Sequence, residues 1–199
     1  SVNILVKNRS EKKIAVSFLN ALGAKMKNIK LIICKTDRAW TRDFLPIFLK
    51  DKRNKNILSN WKFNAWAKYK NFKNDNRAYL KVKKIKKIKT INPEHLQKKI
   101  VLEGGSIDVN GDGLVLTTKQ CFLSKIQQRN KGFKIHDYNK IFSKFLGAKK
   151  TIWLNKGIHG DDTHGHIDDI ARFVSKNKIF IAKENNKKDK NFKNSNIFI

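Results

Sequence analysis

Apolar positions recur along this chain with two periods, and the alternation between them lays out the elements. Val2–Val6 is a short apolar run that reads as a strand. Ala15, Phe18, Leu19 and Leu22 follow at three- and four-residue steps, which predicts a helix capped by Ser10 and stopped by Gly23. Ile29–Cys34 reads as a second strand, and the second half of 38–49 as a third, with Pro46 marking an edge or an irregular start. Asp51–Asn56 reads as a charged turn. Trp61, Phe63 and Ala65 alternate with Lys62 and Asn64, which predicts a strand there. Leu80, Val82, Ile85 and Ile88 form an apolar stripe on a helix from Asp75 to about Lys89, ended by Asn92-Pro93.

The second half repeats the alternation. Ile100–Val109 and Gly113–Thr118 flank Asn110-Gly111-Asp112, the pattern of a β-hairpin with an Asn-Gly turn. Asp108–Gly113 also begins like an EF-hand calcium loop, but its twelfth position is Lys119 instead of Glu and its flanks are strands, which excludes that site. Asp137–Leu146 is predicted helical, with Gly147 as its stop. Lys150–Leu154, Ile167–Val174 and Lys178–Ala182 read as strands. Strand, helix, strand, strand recurs without a low-complexity linker, so residues 1–199 are expected to form one domain of mixed α/β modules. After Lys183 the chain turns polar with no closing element, and Ser1 leads straight into a strand. Both ends read as cuts from something longer.

Composition narrows the class. With 40% hydrophobic residues, 13 Phe and 4 Trp, the chain is expected to fold. No apolar run approaches a membrane span. Cys34 and Cys121 sit in apolar contexts and read as reduced core thiols, which points to a cytoplasmic protein. The net charge of +29 is carried overwhelmingly by Lys in a chain also rich in Asn and Ile, the signature of AT-rich coding. The Lys81–Lys89 run reads as the solvated face of a helix, and a basic nucleic-acid-binding module stays as an alternative without specific nucleic acid contacts expected.

Against that basic background, Gly160–Asp169 holds four acids and two histidines in ten residues. Crowded carboxylates raise one another's pKa, so such a cluster needs a metal, a cationic ligand or an exposed loop. As a metal site, Thr163-His164-Gly165-His166-Ile167-Asp168-Asp169 is one letter from the Thr-His-x-His-x-Asp-His run of metallo-β-lactamase-like zinc hydrolases, with Asp169 where a metal-binding His would stand. As a guanidinium site, its carboxylates match a planar cationic fork of donors. Hydrolysis of that group needs a nucleophile at the central carbon, such as a Cys thiolate, and a proton shuttle, such as His. On a strand, His166 and Asp168 would face the same side, and Asp43 and Glu103 are expected at strand ends.

Four segments together resemble the agmatine deiminase / bacterial (Porphyromonas-type) peptidylarginine deiminase family. They are Trp40-Thr41-Arg42-Asp43, Trp61-Lys62-Phe63-Asn64-Ala65-Trp66, Leu102-Glu103-Gly104-Gly105-Ser106-Ile107 and Gly157–Asp168. The resemblance implies a pentein-type α/β propeller of ββαβ modules, with roughly the first three of five in this chain. It implies conversion of agmatine to N-carbamoylputrescine and ammonia, a step of putrescine biosynthesis, through an amidino-cysteine intermediate and without metal or organic cofactor. The alternative substrate is the arginine side chain of a protein. By the same resemblance Asp43 holds the guanidinium, Glu103 lies near it, His166 is the general acid/base, Asp168 is the second guanidinium carboxylate and Trp40 walls the pocket. Asp162 joins the substrate-binding acids. With Asp161 and Asp169 these acids would reverse the basic field for a cationic substrate.

The sequence departs from the family in four places. Phe44-Leu45-Pro46 replaces aromatic-Gly-Pro, Asp108 stands where many relatives have His, and His164 stands where many have Asn. The family's Gly-Gly-Asn-x-His-Cys-like nucleophile segment does not occur here, and neither Cys34 nor Cys121 matches it. The expectation is therefore a chain that binds a guanidinium without turning it over, with homo-oligomerisation left open for the full-length form. Gly104-Gly105 reads as a bulge, and Trp61 and Trp66 read as core.

Overall fold

The computed structural model describes residues 1–195, and its strands fall into small separate sheets with no closed barrel among the described residues. One unit recurs. Strands β3 (Ile47–Lys50) and β4 (Asn56–Ser59) pair antiparallel, helix α3 (Lys73–Lys86) crosses over, and β5 (Lys89–Ile91) returns parallel to β4. Strands β8 (Ile107–Val109) and β9 (Leu114–Thr118), helix α5 (Ile135–Leu146) and strand β10 (Lys150–Leu154) repeat the same order. At one end β1 (Val2–Val6), α1 (Arg9–Ala21) and β2 (Ile29–Ile33) form a parallel strand pair with its crossover helix. At the other, β11 (Ala171–Ser175) and β12 (Lys178–Ile181) form a hairpin. Helix α2 (Thr41–Phe44), the two-residue strands β6 (Glu94–His95) and β7 (Lys98–Lys99), and helix α4 (Lys119–Leu123) fill the connections.

The largest core cluster lies where α5 covers the β8–β9–β10 sheet. Phe122, Tyr138, Phe142 and Trp153 pack ring on ring there, and Tyr138, Phe122 and Phe142 are fully buried. A second cluster gathers Cys34, Phe44, Phe63 and Trp66, and a third joins Leu116 to Ile167 and Ile170. Cys34 and Cys121 are both free and buried. No helix among the described residues is long and apolar enough to cross a membrane.

Several elements differ from their sequence reading, each for a local reason. The cap of α1 is Asn8, not Ser10: its Oδ1 accepts from the Glu11 amide at 2.8 Å. The alternating run 61–65 is not a strand, and the strand lies just before it as β4, which follows the charged turn and shares only Asn56 with it. Phe63 is held instead by Asn76, which exchanges hydrogen bonds with both of its backbone groups, and Lys62 alone bridges to Val101. Ala65, Trp66 and Ala67 then turn the chain at positive φ (52°, 57° and 54°), a region costly for residues with a Cβ. Helix α3 stops early at Lys87, which adopts φ 49°, so the end of the lysine run belongs to β5, while Lys81, Lys83 and Lys84 are exposed as expected. The hairpin register holds, with Asn110 Oδ1 accepting from Asp112 and Leu114, but β8 begins only at Ile107. Residues 167–170 are turn, and the predicted strand there starts at Ala171.

Candidate functional site

Three sequence-distant segments meet at His166, those carrying Asp43, Glu103 and His166 with Asp168. Asp43 sits on the one-turn helix α2, buried, where its Oδ1 accepts from the Gly105 amide at 2.9 Å and its Oδ2 from Trp66 Nε1 at 3.0 Å. Neither Asp43 nor Glu103 is at a strand end: Glu103 leads into a 3₁₀ turn over Gly104–Ser106. His166 is 3% exposed, with Nδ1 at 4.0 Å from Asp43 Oδ1 and 3.8 Å from Asp168 Oδ1, and Nε2 at 3.7 Å from Glu103 Oε2. The structure therefore brings the four residues together. What aligns His166 with Asp168 is a loop, not strand alternation.

Asp161 organises that loop. Its carboxylate accepts from the amides of Thr163, Gly165 and His166 and from the Thr163 hydroxyl. Burial would push its pKa up, but these hydrogen bonds outweigh that and hold it below the usual range. Thr118 Oγ1 secures the next turn by donating to the Gly165 carbonyl at 2.5 Å. Asp168 is fixed from outside by Arg42 Nε at 3.0 Å. Gly104-Gly105 is not a bulge: both residues belong to the 3₁₀ turn Gly104–Ser106, not to a strand. Both are Gly because space is lacking. A Cβ on Gly105 would stand 2.5 Å from His166 Nδ1 and 2.8 Å from Asp43 Oδ1, and one on Gly104 would stand 2.2 Å from the Arg42 carbonyl.

These groups open onto a cavity of about 750 Å³. Asp37, Asp43, Asp161, Asp162, Asp168 and Asp169 line it, six of the 16 acids in a chain of net charge +29, with Arg38 and Arg42 as the facing cations. Trp40 lines its mouth at 66% exposure, and Asp162 sits at the rim, ion-paired to Lys68 and accepting from Tyr69 Oη at 2.9 Å. Trp66 is both core and site, since it lines the cavity while its Nε1 holds Asp43. Glu103 does not line the cavity. It lies behind His166, fully buried, with Arg129 Nε at 3.1 and 3.3 Å from its two oxygens. A larger cavity of about 1100 Å³ on the far side of Gly104 is walled mainly by apolar groups such as Pro46, Phe48, Val109 and Phe145 and lacks this concentration of acids.

Electrostatics separate the carboxylates. Burial, helped by Glu103, raises the Asp43 pKa, partly opposed by His166. Burial and the neighbouring Asp161 and Asp168 also raise that of Asp169. Burial would raise Glu103 too, but Arg129 and His166 more than offset it and keep Glu103 ionised. For His166, burial disfavours the cation, yet Glu103 and Asp43 win and its pKa is raised. The result is an imidazole that holds a proton beside an ionised acid, the arrangement a proton shuttle needs.

The zinc reading of the 163–169 run does not survive this geometry. His164, at φ 63°, turns to Ser124 Oγ at 2.9 Å and towards Gln120, while His166 faces the acids. Among the described residues, Glu103, Cys121 and His166 place ligand atoms within 4.8 Å of one another, but both oxygens of Glu103 are taken by Arg129, a cation where a metal would need a free carboxylate. Burial also pushes the Cys121 thiol far up, away from the thiolate a metal binds. Arg129 itself had no signal in the sequence, because the 124–134 connection has neither period nor motif.

The class defined by this fold and site is an α/β protein with an acid-lined pocket around a buried His. The sequence matches the family described as Porphyromonas-type peptidyl-arginine deiminase over residues 1–197, and the chain belongs to that family. The agmatine deiminase of Pseudomonas savastanoi pv. phaseolicola is 31% identical over 170 residues, covering 83% of this chain and 45% of its own length. A substrate-bound agmatine deiminase of C. jejuni superposes with a TM-score of 0.83 at 28% identity, covering 100% of this chain and 55% of that one. The agmatine deiminase of Enterococcus faecalis gives 0.81 at 25% identity, over 98% and 51%. The chain spans 43–49% of the length of the curated relatives it matches.

Proposed function

We propose that the acid-lined cavity binds a guanidinium group and that the protein to which this chain belongs deiminates agmatine. The observation that carries the reading is the buried His166, with Asp43, Glu103 and Asp168 each within 4.0 Å of one of its ring nitrogens. Asp43 and Asp168 accept from the guanidinium fork, Trp40 covers its plane, and Asp162 at the rim meets the distal ammonium. A thiolate adds to the guanidinium carbon, and the C–N bond to one amino group breaks. His166 supplies the proton with which that group leaves as ammonia. Water, deprotonated by His166, then adds to the amidino carbon, the S–C bond breaks, and N-carbamoylputrescine departs with the thiolate restored.

Neither Cys34 nor Cys121 lines the cavity, so the attacking thiolate is assigned to a segment outside these 199 residues. The chain alone is expected to bind agmatine and release no ammonia from it. The repeated ββαβ order and the partial coverage of relatives support a pentein propeller to which this chain contributes about three modules. Agmatine is preferred over peptidyl-arginine because the named relatives at 31% identity are agmatine deiminases.

Isothermal titration checks the ligand and its pH dependence together. Agmatine should bind, and putrescine, which lacks the guanidinium, should bind at least about tenfold more weakly, a difference of ~1.4 kcal/mol. Affinity should fall as pH is lowered. Protonation of His166, whose pKa is raised, adds a repelling cation, and Asp43, also raised, loses its charge before an ordinary Asp would. Equal affinity for the two amines, or affinity that rises on acidification, would sink the assignment.

A further inference from the structure

Arg129 touches neither the cavity nor any group to which the proposed chemistry gives a role other than Glu103, yet it is 4% exposed and tied at every nitrogen. Nε spans both oxygens of Glu103, one terminal nitrogen donates to the Gln127 carbonyl at 2.9 Å, and the other donates to the Thr163 carbonyl. Its neighbours reach the same structure: Gln127 Nε2 donates to the carbonyls of Trp66 and Asp162, each at 3.1 Å, and Asn130 brackets the backbone of Val101. Three walls of the site thus meet on residues 127–130. They are the Glu103 segment, the Trp66 turn and the loop carrying His166.

We propose that Arg129 is a positioning residue of this site, acting through Glu103 and Thr163 to fix where His166 stands and how strongly Glu103 competes for its proton. The inference rests on the guanidinium reading above and adds a residue to it. A carboxylate with no exposure is expected to take up a proton unless a cation accompanies it. Arg cannot give up its charge, and its fork fixes the carboxylate plane. Glu103 Oε2, 3.7 Å from His166 Nε2, is therefore shared between two cations. His166 is also faced by Asp43 and Asp168 across the cavity, by Asp169 nearby and by Asp161 through its own amide, while Cys121 lies behind it close to Glu103. Without the Arg129 cation, Glu103 interacts with His166 alone, and the pair holds its shared proton more tightly.

The test follows the imidazole resonances of His166 by NMR through a pH titration of the ligand-free chain, assigned with His166→Gln. In Arg129→Gln the apparent His166 pKa should rise by about one unit. In Arg129→Lys the charge remains but the Thr163 anchor is lost, so the His166 titration should stay within about half a unit of wild type. Agmatine affinity in that variant should drop about five- to tenfold as the loop loosens. A His166 titration unmoved in folded Arg129→Gln overturns the proposal. If that variant does not fold, Arg129→Lys with wild-type agmatine affinity overturns it. Agmatine failing to bind wild type as well, with the His166 shift present, would instead refute the guanidinium reading and leave the link between Arg129 and His166 standing.

Discussion

Replacing Glu103 with alanine should lower the free energy of unfolding by about 3–5 kcal/mol, the cost of leaving one member of a buried ion pair without its partner. Both side chains of the Glu103–Arg129 pair have zero exposure, so no solvent is present to take over from the missing carboxylate. The deleted group also supports His166 from the side facing away from the cavity. Urea unfolding of the chain reads the loss directly. The double variant Glu103→Leu/Arg129→Met, which removes both charges and keeps apolar volume, should recover most of the stability while failing to restore the raised pKa of His166. That separates what the pair does for the fold from what it does for the site. The exposed Lys68–Asp162 pair gives the contrast: both partners reach solvent, and Asp162→Ala should leave the stability little changed. A Glu103→Ala chain as stable as wild type would show that Arg129 finds another partner and that the pair is not what locks this corner.

Gly105→Ala should leave the chain folded and weaken agmatine binding by about 10- to 100-fold, from ~1–3 kcal/mol of overpacking. The added methyl would fall 2.5 Å from His166 Nδ1, 2.8 Å from Asp43 Oδ1 and 3.0 Å from Asp168 Oδ2, so the three side chains that surround the ligand position must all yield. Gly104→Ala is the internal comparison. Its methyl would meet the backbone carbonyl of Arg42 at 2.2 Å, and a backbone carbonyl cannot swing aside, so that variant should lose thermal stability. Adjacent glycines thus serve two different purposes, one the site and one the fold. Calorimetric titration and thermal unfolding of both variants distinguish them. Unchanged agmatine affinity in Gly105→Ala would mean that His166 and Asp43 are not where the ligand binds.

The sequence exposes these features unequally, and the reasons are physical. The hairpin at Asn110-Gly111 and helix α5 were legible because a turn dipeptide and a 3.6-residue period act locally. The alternation at 61–65 was misleading because the backbone of the buried Phe63 is met by the Asn76 side chain, not by a sheet ladder. Asp43, Glu103, His166 and Asp168 were legible as a set only through motifs whose spacing in the chain says nothing of their meeting in space. Arg129 was invisible because its meaning lies in partners 26 and 34 residues away, Glu103 and Thr163. Trp66 was placed in the core, correctly for its ring and incompletely for its Nε1, which a pattern of apolar positions cannot register.

The central claim is that Asp43, His166 and Asp168 form the guanidinium-binding wall of this chain. A crystal structure of the chain with agmatine tests it most directly. The guanidinium is expected in the cavity between Asp43 and Asp168, its nitrogens about 2.7–2.9 Å from their carboxylate oxygens, with His166 at its side. Agmatine bound elsewhere on the chain, with Asp43 and Asp168 unengaged, would contradict it.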